Sequence, residues 1–216
     1  MAEYFGRYEG PVKAEFLDDG RKMRLLAAFI YIDPEEVKWE APAGSVIDGA
    51  SIPRIAWSII GGPFEGKYRD ASVIHDVACD QKVRSWESVH KAFYNSMRTS
   101  GVGIIKAKVM YGAVYHFGPR WSLSFTIVVL RDQAEAAISK VKASLDPQSQ
   151  VQVNVSIKSR NFLAILKNQP EKANVNINVV PSERRLHESD FAKLEKAITE
   201  KGLTLQDIRN YNPFTN

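Results

Sequence analysis

The hydrophobic pattern of the chain changes period near residue 68, and this change limits the folds that the sequence can adopt. Before it, apolar residues occur in short strand-like runs, as in Val12–Phe16 and Met23–Ile32. After it, they recur at helical spacing over Tyr68–Asp80, Trp86–Thr99 and Ile104–Phe117. Strands that precede helices, rather than alternate with them, are typical of an α+β protein. We therefore expect a small antiparallel sheet plus a three-helix cluster.

The rest of the chain has a mixed pattern and predicts a separate, smaller α/β domain. Val151–Ile157 and Asn174–Val180 alternate between apolar and polar residues, which predicts two strands with one buried face each. A helix is expected over Arg131–Leu145, extended backwards through the apolar run Leu123–Leu130. A short helix or a turn is expected near Arg54–Ile60, and a short helix near Phe162–Lys167. A closing helix is expected from Ser182 or Ser189 through Lys201, and a last short one from Thr204 through Tyr211.

The charge distribution supports two domains, residues 1–120 and residues 121–216. Residues 1–118 hold 15 basic and 15 acidic side chains, whereas residues 119–216 hold 14 and 10. The whole surplus of +4 therefore lies in the second part, and it is too small to indicate nucleic-acid binding. We expect this basic C-terminal domain to bind a protein partner.

The cysteine content and the apolar runs restrict the cellular location. A single cysteine, Cys79, excludes an internal disulfide framework and suits a reducing compartment. The N-terminal 20 residues lack the pattern of a secretory signal, and Leu123–Leu130 is too short to span a bilayer. We expect a protein without a transmembrane segment that is cytoplasmic, exported without a signal peptide, or associated with a virion.

An adjacent pair, His75 and Asp76, lies in the first predicted helix. Two ionisable side chains are costly to bury in an apolar helix unless both have partners. Neighbouring helical positions project about 100° apart, so one side chain can face a cleft while the other faces a loop. The pair is a candidate for a catalytic base and a carboxylate ligand. The alternative is an ordinary surface pair.

A second histidine, His90, is expected at the same height on the next helix. The connection Gln81–Ser85 is short, which predicts that the two helices pack antiparallel. His75 and His90 are equidistant from a turn centred between Lys82 and Val83. We therefore predict that the two imidazoles face each other about two helical turns from the bend. With a different helical phase, they would lie on opposite outer faces.

The loop Val46–Pro53 is the second candidate region. Its Asp48 is a candidate metal ligand, or a carboxylate that orients an imidazole, and Ser51 is a candidate helix cap. The alternative is a turn in which Asp and Ser bond only to their own backbone.

These segments together resemble a bacterial and phage family, the domain of unknown function numbered thirteen fifty-three. The motifs that carry the resemblance are DGASIP at 48–53, ASVIHD at 71–76, FYNSM at 93–97 and MYGAV at 110–114. They extend over about 70 residues, from Asp48 to Phe117. The family resemblance does not imply an activity.

The pattern H-D-x-x-C at 75–79 is also similar, more distantly, to the paired helices of phospholipase A2-type enzymes. That resemblance implies that His75 is the general base that activates water. It also implies that Asp76 binds Ca²⁺ together with carbonyl groups, here from Gly61-Gly62 or from the loop through Gly49. Ca²⁺ takes six to eight oxygen ligands.

His90 departs from that pattern, because those enzymes have an Asp at this place to orient the base. A neutral imidazole can fix the tautomer of His75, but it does not stabilise an imidazolium as a carboxylate does. Two imidazoles together with Asp76 and Asp48 also suit Zn²⁺. The expected cofactor is therefore Ca²⁺ or Zn²⁺, or none.

Two functions of different classes follow from these residues. The first is a hydrolase of a lipid or another ester, with His75 and His90 in the catalytic site and Asp76 and Asp48 at a metal. The second is a non-catalytic structural or accessory protein of a phage or secretion particle, in which the polar pair fixes the helix hairpin. Cys79 is expected to be a small core residue in both.

Overall fold

The structure, a computed structural model, describes residues 3–19, 22–48, 51–53, 66–157, 170–182 and 188–212. The expected helices near Arg54–Ile60 and Phe162–Lys167 lie outside these residues. Six short strands come first in the chain: β1 (Arg7–Glu9), β2 (Ala14–Phe16), β3 (Met23–Leu25), β4 (Phe29–Ile32), β5 (Lys38–Ala41) and β6 (Val46–Ile47). Three helices follow them: α1 (Arg69–Gln81), α2 (Trp86–Thr99) and α3 (Ile104–Phe117). The α+β class is confirmed.

The front strands form two antiparallel sheets of three strands each, in the orders β1-β4-β5 and β2-β3-β6. The expected strand over Met23–Ile32 is therefore divided between the two sheets. The division falls at Leu26, which is 58% exposed and donates its backbone N–H to the Lys13 carbonyl. The chain has to leave one sheet here because its next apolar residues, from Phe29 onwards, pair with β1 and β5.

The helix hairpin α1–α2 has a defined cap on each side of its connection. Lys82 ends α1 in the left-handed conformation (φ 53°). Ser85 begins α2, and its hydroxyl accepts a hydrogen bond of 3.2 Å from the Ser88 backbone N–H. A capping bond of this kind stabilises a helix by about 1 kcal/mol. The two caps fix the length of the connection and hence the phase of one helix relative to the other.

The chain divides into two compact units, residues 1–119 with 185–216, and residues 120–184. This division differs from the expected one at residue 120, because the C-terminal helices pack in the first unit. These helices are α5 (Glu188–Lys201) and α6 (Leu205–Asn210). Side chains from both, Leu194, Ile198 and Ile208, surround Gly112 of α3, where a Cβ atom would lie only 3.1–3.4 Å from them.

The second unit is a three-stranded antiparallel sheet with one helix. Its strands are β7 (Leu123–Leu130), β8 (Gln150–Ile157) and β9 (Lys172–Val180), in the order β7-β9-β8, and α4 is Ala134–Ser144. The two alternating segments are confirmed as strands. The backward extension of the helix was wrong: Leu123–Leu130 pairs along its whole length with β9. Its alternate side chains Phe125, Ile127 and Val129 pack on the core of the unit.

The helices of the described residues include none with both the length and the apolar content needed to cross a membrane.

Gly6, next to β1, provides a test of the packing between the first strands. Its φ is +97°, and an added Cβ would overlap the Ile32 carbonyl oxygen. Gly10 has a similar φ of +79° but open space around it. Both substitutions to alanine carry the strain of a positive φ, and Gly6→Ala adds a steric overlap that typically costs about 1–3 kcal/mol. We expect Gly6→Ala to lower the free energy of unfolding more than Gly10→Ala, measured by urea denaturation. Equal losses would contradict this packing.

Candidate functional site

The helix hairpin brings His75 of α1 and His90 of α2 into direct contact. His75 Nε2 lies 2.9 Å from His90 Nδ1. Both side chains are buried, with 1% and 0% of their surface exposed. The two imidazoles therefore face each other across the hairpin, as the equal distances from the turn predict.

Cys79 completes a cluster with the two histidines. It is one helical turn after His75, and residues four apart lie on the same face of a helix. Its Sγ is 3.6 Å from His75 Nε2. Among the described residues, His75, Cys79 and His90 form a group whose candidate ligand atoms all lie within 4.8 Å of one another.

The hydrogen bonds define which ring nitrogens carry protons. His90 Nε2 is 3.1 Å from the Pro119 carbonyl oxygen, which can only accept, so Nε2 is the protonated nitrogen. His90 Nδ1 of the neutral ring is then an acceptor, and His75 Nε2–H donates to it. His75 Nδ1 consequently has a lone pair, and it is buried without a hydrogen-bond partner among the described residues.

Aromatic rings pack against the two histidines and help to bury them. The Phe93 ring stacks on His75 at a centroid distance of 4.5 Å, and the Trp86 ring meets His90 edge-on at 5.6 Å. Burial lowers the pKa of His75 to about 3, well below its usual value of 6.5. His75 is therefore neutral at physiological pH.

The Cys79 thiol is also neutral. Its pKa is raised to about 12, chiefly by burial and also by the charges of Asp76 and Asp80, while a hydrogen bond with Ser51 opposes the rise. A nucleophilic cysteine needs a lowered pKa. The chemistry that Cys79 can offer here is that of a metal ligand, whose thiol loses its proton to the ion. This hydrogen bond places Ser51, which belongs to the DGASIP motif, next to Cys79.

The predicted carboxylates occupy two different environments. Asp76 is buried, with 4% of its surface exposed, one position after His75. Asp48 is exposed and directly follows β6. Neither is part of the three-residue group. The glycines proposed to supply carbonyl ligands, Gly49 and Gly61-Gly62, lie outside the described residues.

Cys79 is buried, as expected for a core residue, and it also lies beside the imidazoles, which was not expected. The spacing H-x-x-x-C was the available signal, because it puts both side chains on one helical face. This spacing does not determine the rotational phase of α2. That phase brings His90 next to His75 and Cys79.

Three of the four sequence motifs contribute a residue to this cluster or a side chain in contact with it, namely Ser51, His75 and Phe93. DGASIP provides Ser51, ASVIHD lies in α1, FYNSM in α2 and MYGAV in α3. Residues 23–114 match the family Protein of unknown function (DUF1353). The resemblance carried by the motifs is therefore confirmed for this segment. The DUF1353 segment contains all three residues of the cluster.

Two relatives are similar to parts of this chain. "Uncharacterized protein y4jT" from Sinorhizobium fredii (strain NBRC 101917 / NGR234) is 47% identical over 129 residues, which is 59% of this chain and 38% of that protein. "Uncharacterized protein y4iH" from the same strain is 44% identical over 103 residues, 48% of this chain and 43% of that protein. The chain thus spans less than half the length of either relative. No solved structure matches it.

The lowered pKa of His75 predicts how stability depends on pH. Between pH 6.5 and about 3, the unfolded chain binds a proton at His75 that the folded chain does not, so stability falls as the pH falls through this window. The contribution of one such group reaches about 1.4 kcal/mol per pH unit. His75→Gln retains an N–H donor towards His90 but cannot titrate. We expect urea unfolding across this window to show a shallower pH slope for the variant than for the wild type. The same slope in both proteins would contradict the burial of a neutral imidazole.

Proposed function

We propose that the DUF1353 segment, residues 23–114, acts as a hydrolase of a lipid or another ester, with His75 as its general base. The observation that carries the proposal is the lone pair on His75 Nδ1, which is buried without a hydrogen-bond partner among the described residues. An unsatisfied buried polar atom costs about 1–3 kcal/mol, so its presence calls for a reason beyond packing.

The contacts of His90 support a positioning role for this residue. Its bonds of 2.9 Å to His75 and 3.1 Å to the Pro119 carbonyl hold both rings in one tautomer. That tautomer directs the basic nitrogen of His75 away from His90. A base held in one orientation is what proton abstraction from a water molecule requires.

The proposed reaction is the hydrolysis of an ester by water. His75 Nδ1 takes a proton from water while the water oxygen bonds to the ester carbonyl carbon. The bond from this carbon to the alkoxy oxygen then breaks, and His75 returns the proton to the departing alcohol. The products are an acid and an alcohol. Because His90 carries no negative charge, the imidazolium formed on the way is stabilised less than in enzymes with a carboxylate at this place.

Asp76 and Asp48 remain the proposed carboxylate ligands for Ca²⁺ or Zn²⁺. The donors that the described residues bring together are two imidazole nitrogens and one sulfur. Such a set suits Zn²⁺ and not Ca²⁺, which takes oxygen ligands. The hydrolytic step above therefore uses no metal ion.

A second function is favoured by the burial of the same residues. His75 and His90 are enclosed by aromatic rings and bond to each other, as expected if they serve to fix the α1–α2 hairpin. We also propose, as the alternative, a non-catalytic structural or accessory protein of a phage or secretion particle. In this case residues 121–216 supply a basic surface for a protein partner.

His75→Gln tests the hydrolase with the hairpin left intact. We expect kcat/KM on p-nitrophenyl esters of short and long acids, and on phosphatidylcholine, to fall by about 10²–10⁴-fold, because the variant retains the donor to His90 and loses the base. His116→Gln is the matched control: His116 is also buried and its Nε2–H donates to the Ile208 carbonyl, which a glutamine amide can replace. This control should retain the wild-type rate.

His90→Asp tests the positioning role. An aspartate Oδ atom can occupy the place of His90 Nδ1 and accept from His75 Nε2–H, and its charge stabilises the imidazolium. We expect a faster reaction than the wild type and a pH profile moved towards a higher pKa of the base. Wild-type protein without esterase activity on all the substrates, together with loss of stability in His75→Ala, would favour the structural alternative.

A further inference from the structure

We propose that His75 Nε2, His90 Nδ1 and Cys79 Sγ form a binding site for a divalent ion of the zinc class, and that this ion and the catalytic tautomer exclude each other. The site is separate from the proposed carboxylate ligands Asp76 and Asp48, because its third ligand atom is the sulfur of Cys79. Binding of the ion does not depend on the proposed hydrolase. Only the inhibition that follows from it does.

The distances fit tetrahedral coordination. With Zn–N of about 2.05 Å and Zn–S of about 2.3 Å, two nitrogens on one ion are about 3.3 Å apart and a nitrogen and a sulfur about 3.6 Å apart. The corresponding distances here are 2.9 Å between the two imidazole nitrogens and 3.6 Å between His75 Nε2 and Cys79 Sγ. To surround one ion, the two rings have to separate by a few tenths of an ångström, and Cys79 Sγ, which lies within 4.8 Å of His90 Nδ1, has to come to about 3.6 Å from it.

The ring contacts provide the outer support that metal-binding histidines usually have. A ligating imidazole typically donates its other N–H to a carbonyl or carboxylate, which fixes the ring plane. His90 Nε2–H already donates to the Pro119 carbonyl, which leaves Nδ1 as its ligand atom. His75 and Cys79 are held on one face of α1 by their spacing of four residues.

Binding requires two proton movements that balance. Cys79 loses its thiol proton to solvent and becomes the thiolate ligand. The proton on His75 Nε2 moves to Nδ1, so the ring remains neutral and Nε2 is free to coordinate. The hydrogen bond between His75 and His90 is broken, and both nitrogens bond to the ion instead.

The consequence for the proposed hydrolase is direct. With the ion bound, His75 Nδ1 carries the proton and has no lone pair, so it cannot take a proton from water. We therefore expect the zinc-class ion to inhibit ester hydrolysis.

Cobalt is the probe, because Co²⁺ shares the tetrahedral site preference and its thiolate complexes absorb in the near ultraviolet. Cys79 is the sole cysteine in the sequence, so a thiolate–cobalt band can arise from this residue alone. We expect titration of the chelator-treated full chain to produce this band, and added Zn²⁺ to abolish it by displacing Co²⁺. Because the ligands are buried, each addition is left to equilibrate.

Three variants and one chemical measurement make the result decisive. Cys79→Ala should lose the band. His90→Asn should lose more Co²⁺ affinity than the about 10–100-fold that is typical when a residue supporting a ligand is removed. His116→Gln, a buried histidine elsewhere, should bind as the wild type does. In the wild-type protein, Zn²⁺ should slow the reaction of the Cys79 thiol with an alkylating reagent. This measurement does not depend on the folding of any variant.

The outcomes separate the metal site from the hydrolase. No thiolate band in the wild type, or a thiol equally reactive with and without Zn²⁺, overturns the metal site. A thiolate band with no ester hydrolysis in the metal-free protein supports the metal site and removes the hydrolase. Hydrolysis that continues unchanged with the ion bound overturns the proposed exclusion.

Discussion

The hydrogen bond between His75 and His90 is the contact on which the functional interpretation depends. It joins two helices of a short hairpin at a point where both side chains are buried. Two neutral imidazoles can make this bond in only one direction here, because the Pro119 carbonyl takes the outer proton of His90. One backbone oxygen therefore decides which nitrogen of His75, on a different helix, has the free lone pair.

The same low-polarity surroundings have opposite effects on the possible chemistries. Burial makes His75 neutral, which both a general base and a metal ligand require, but it also makes the imidazolium costly. Because the imidazolium is costly here, His75 acts best as a base when it passes the proton on quickly to another group. Coordination of an ion has no such cost at the imidazoles, since both remain neutral. The only ionised ligand is Cys79, and the charge of the cation compensates that of its thiolate.

The sequence predicts the helix hairpin well because its signals are local. Ser85 is a helix cap by residue type, and its spacing from His75 and His90 is fixed by the chain. Cys79 was harder to assign, because its partner His90 comes from another helix and its burial depends on tertiary packing. The apolar run Leu123–Leu130 was assigned to a helix because buried strands and buried helices share the same composition. Only pairing with β9 distinguishes them.

The order of the two compact units along the chain affects how the protein folds during synthesis. The first unit is interrupted, since residues 120–184 come between α3 and the helices α5 and α6 that cover it. Ile208, which is fully buried in that unit, is synthesised only after the whole of residues 120–184. The second unit can reach its final form while the first still has part of its apolar surface uncovered. Helix α3 thus acquires its covering side chains Leu194, Ile198 and Ile208 only after residues 120–184 have been synthesised.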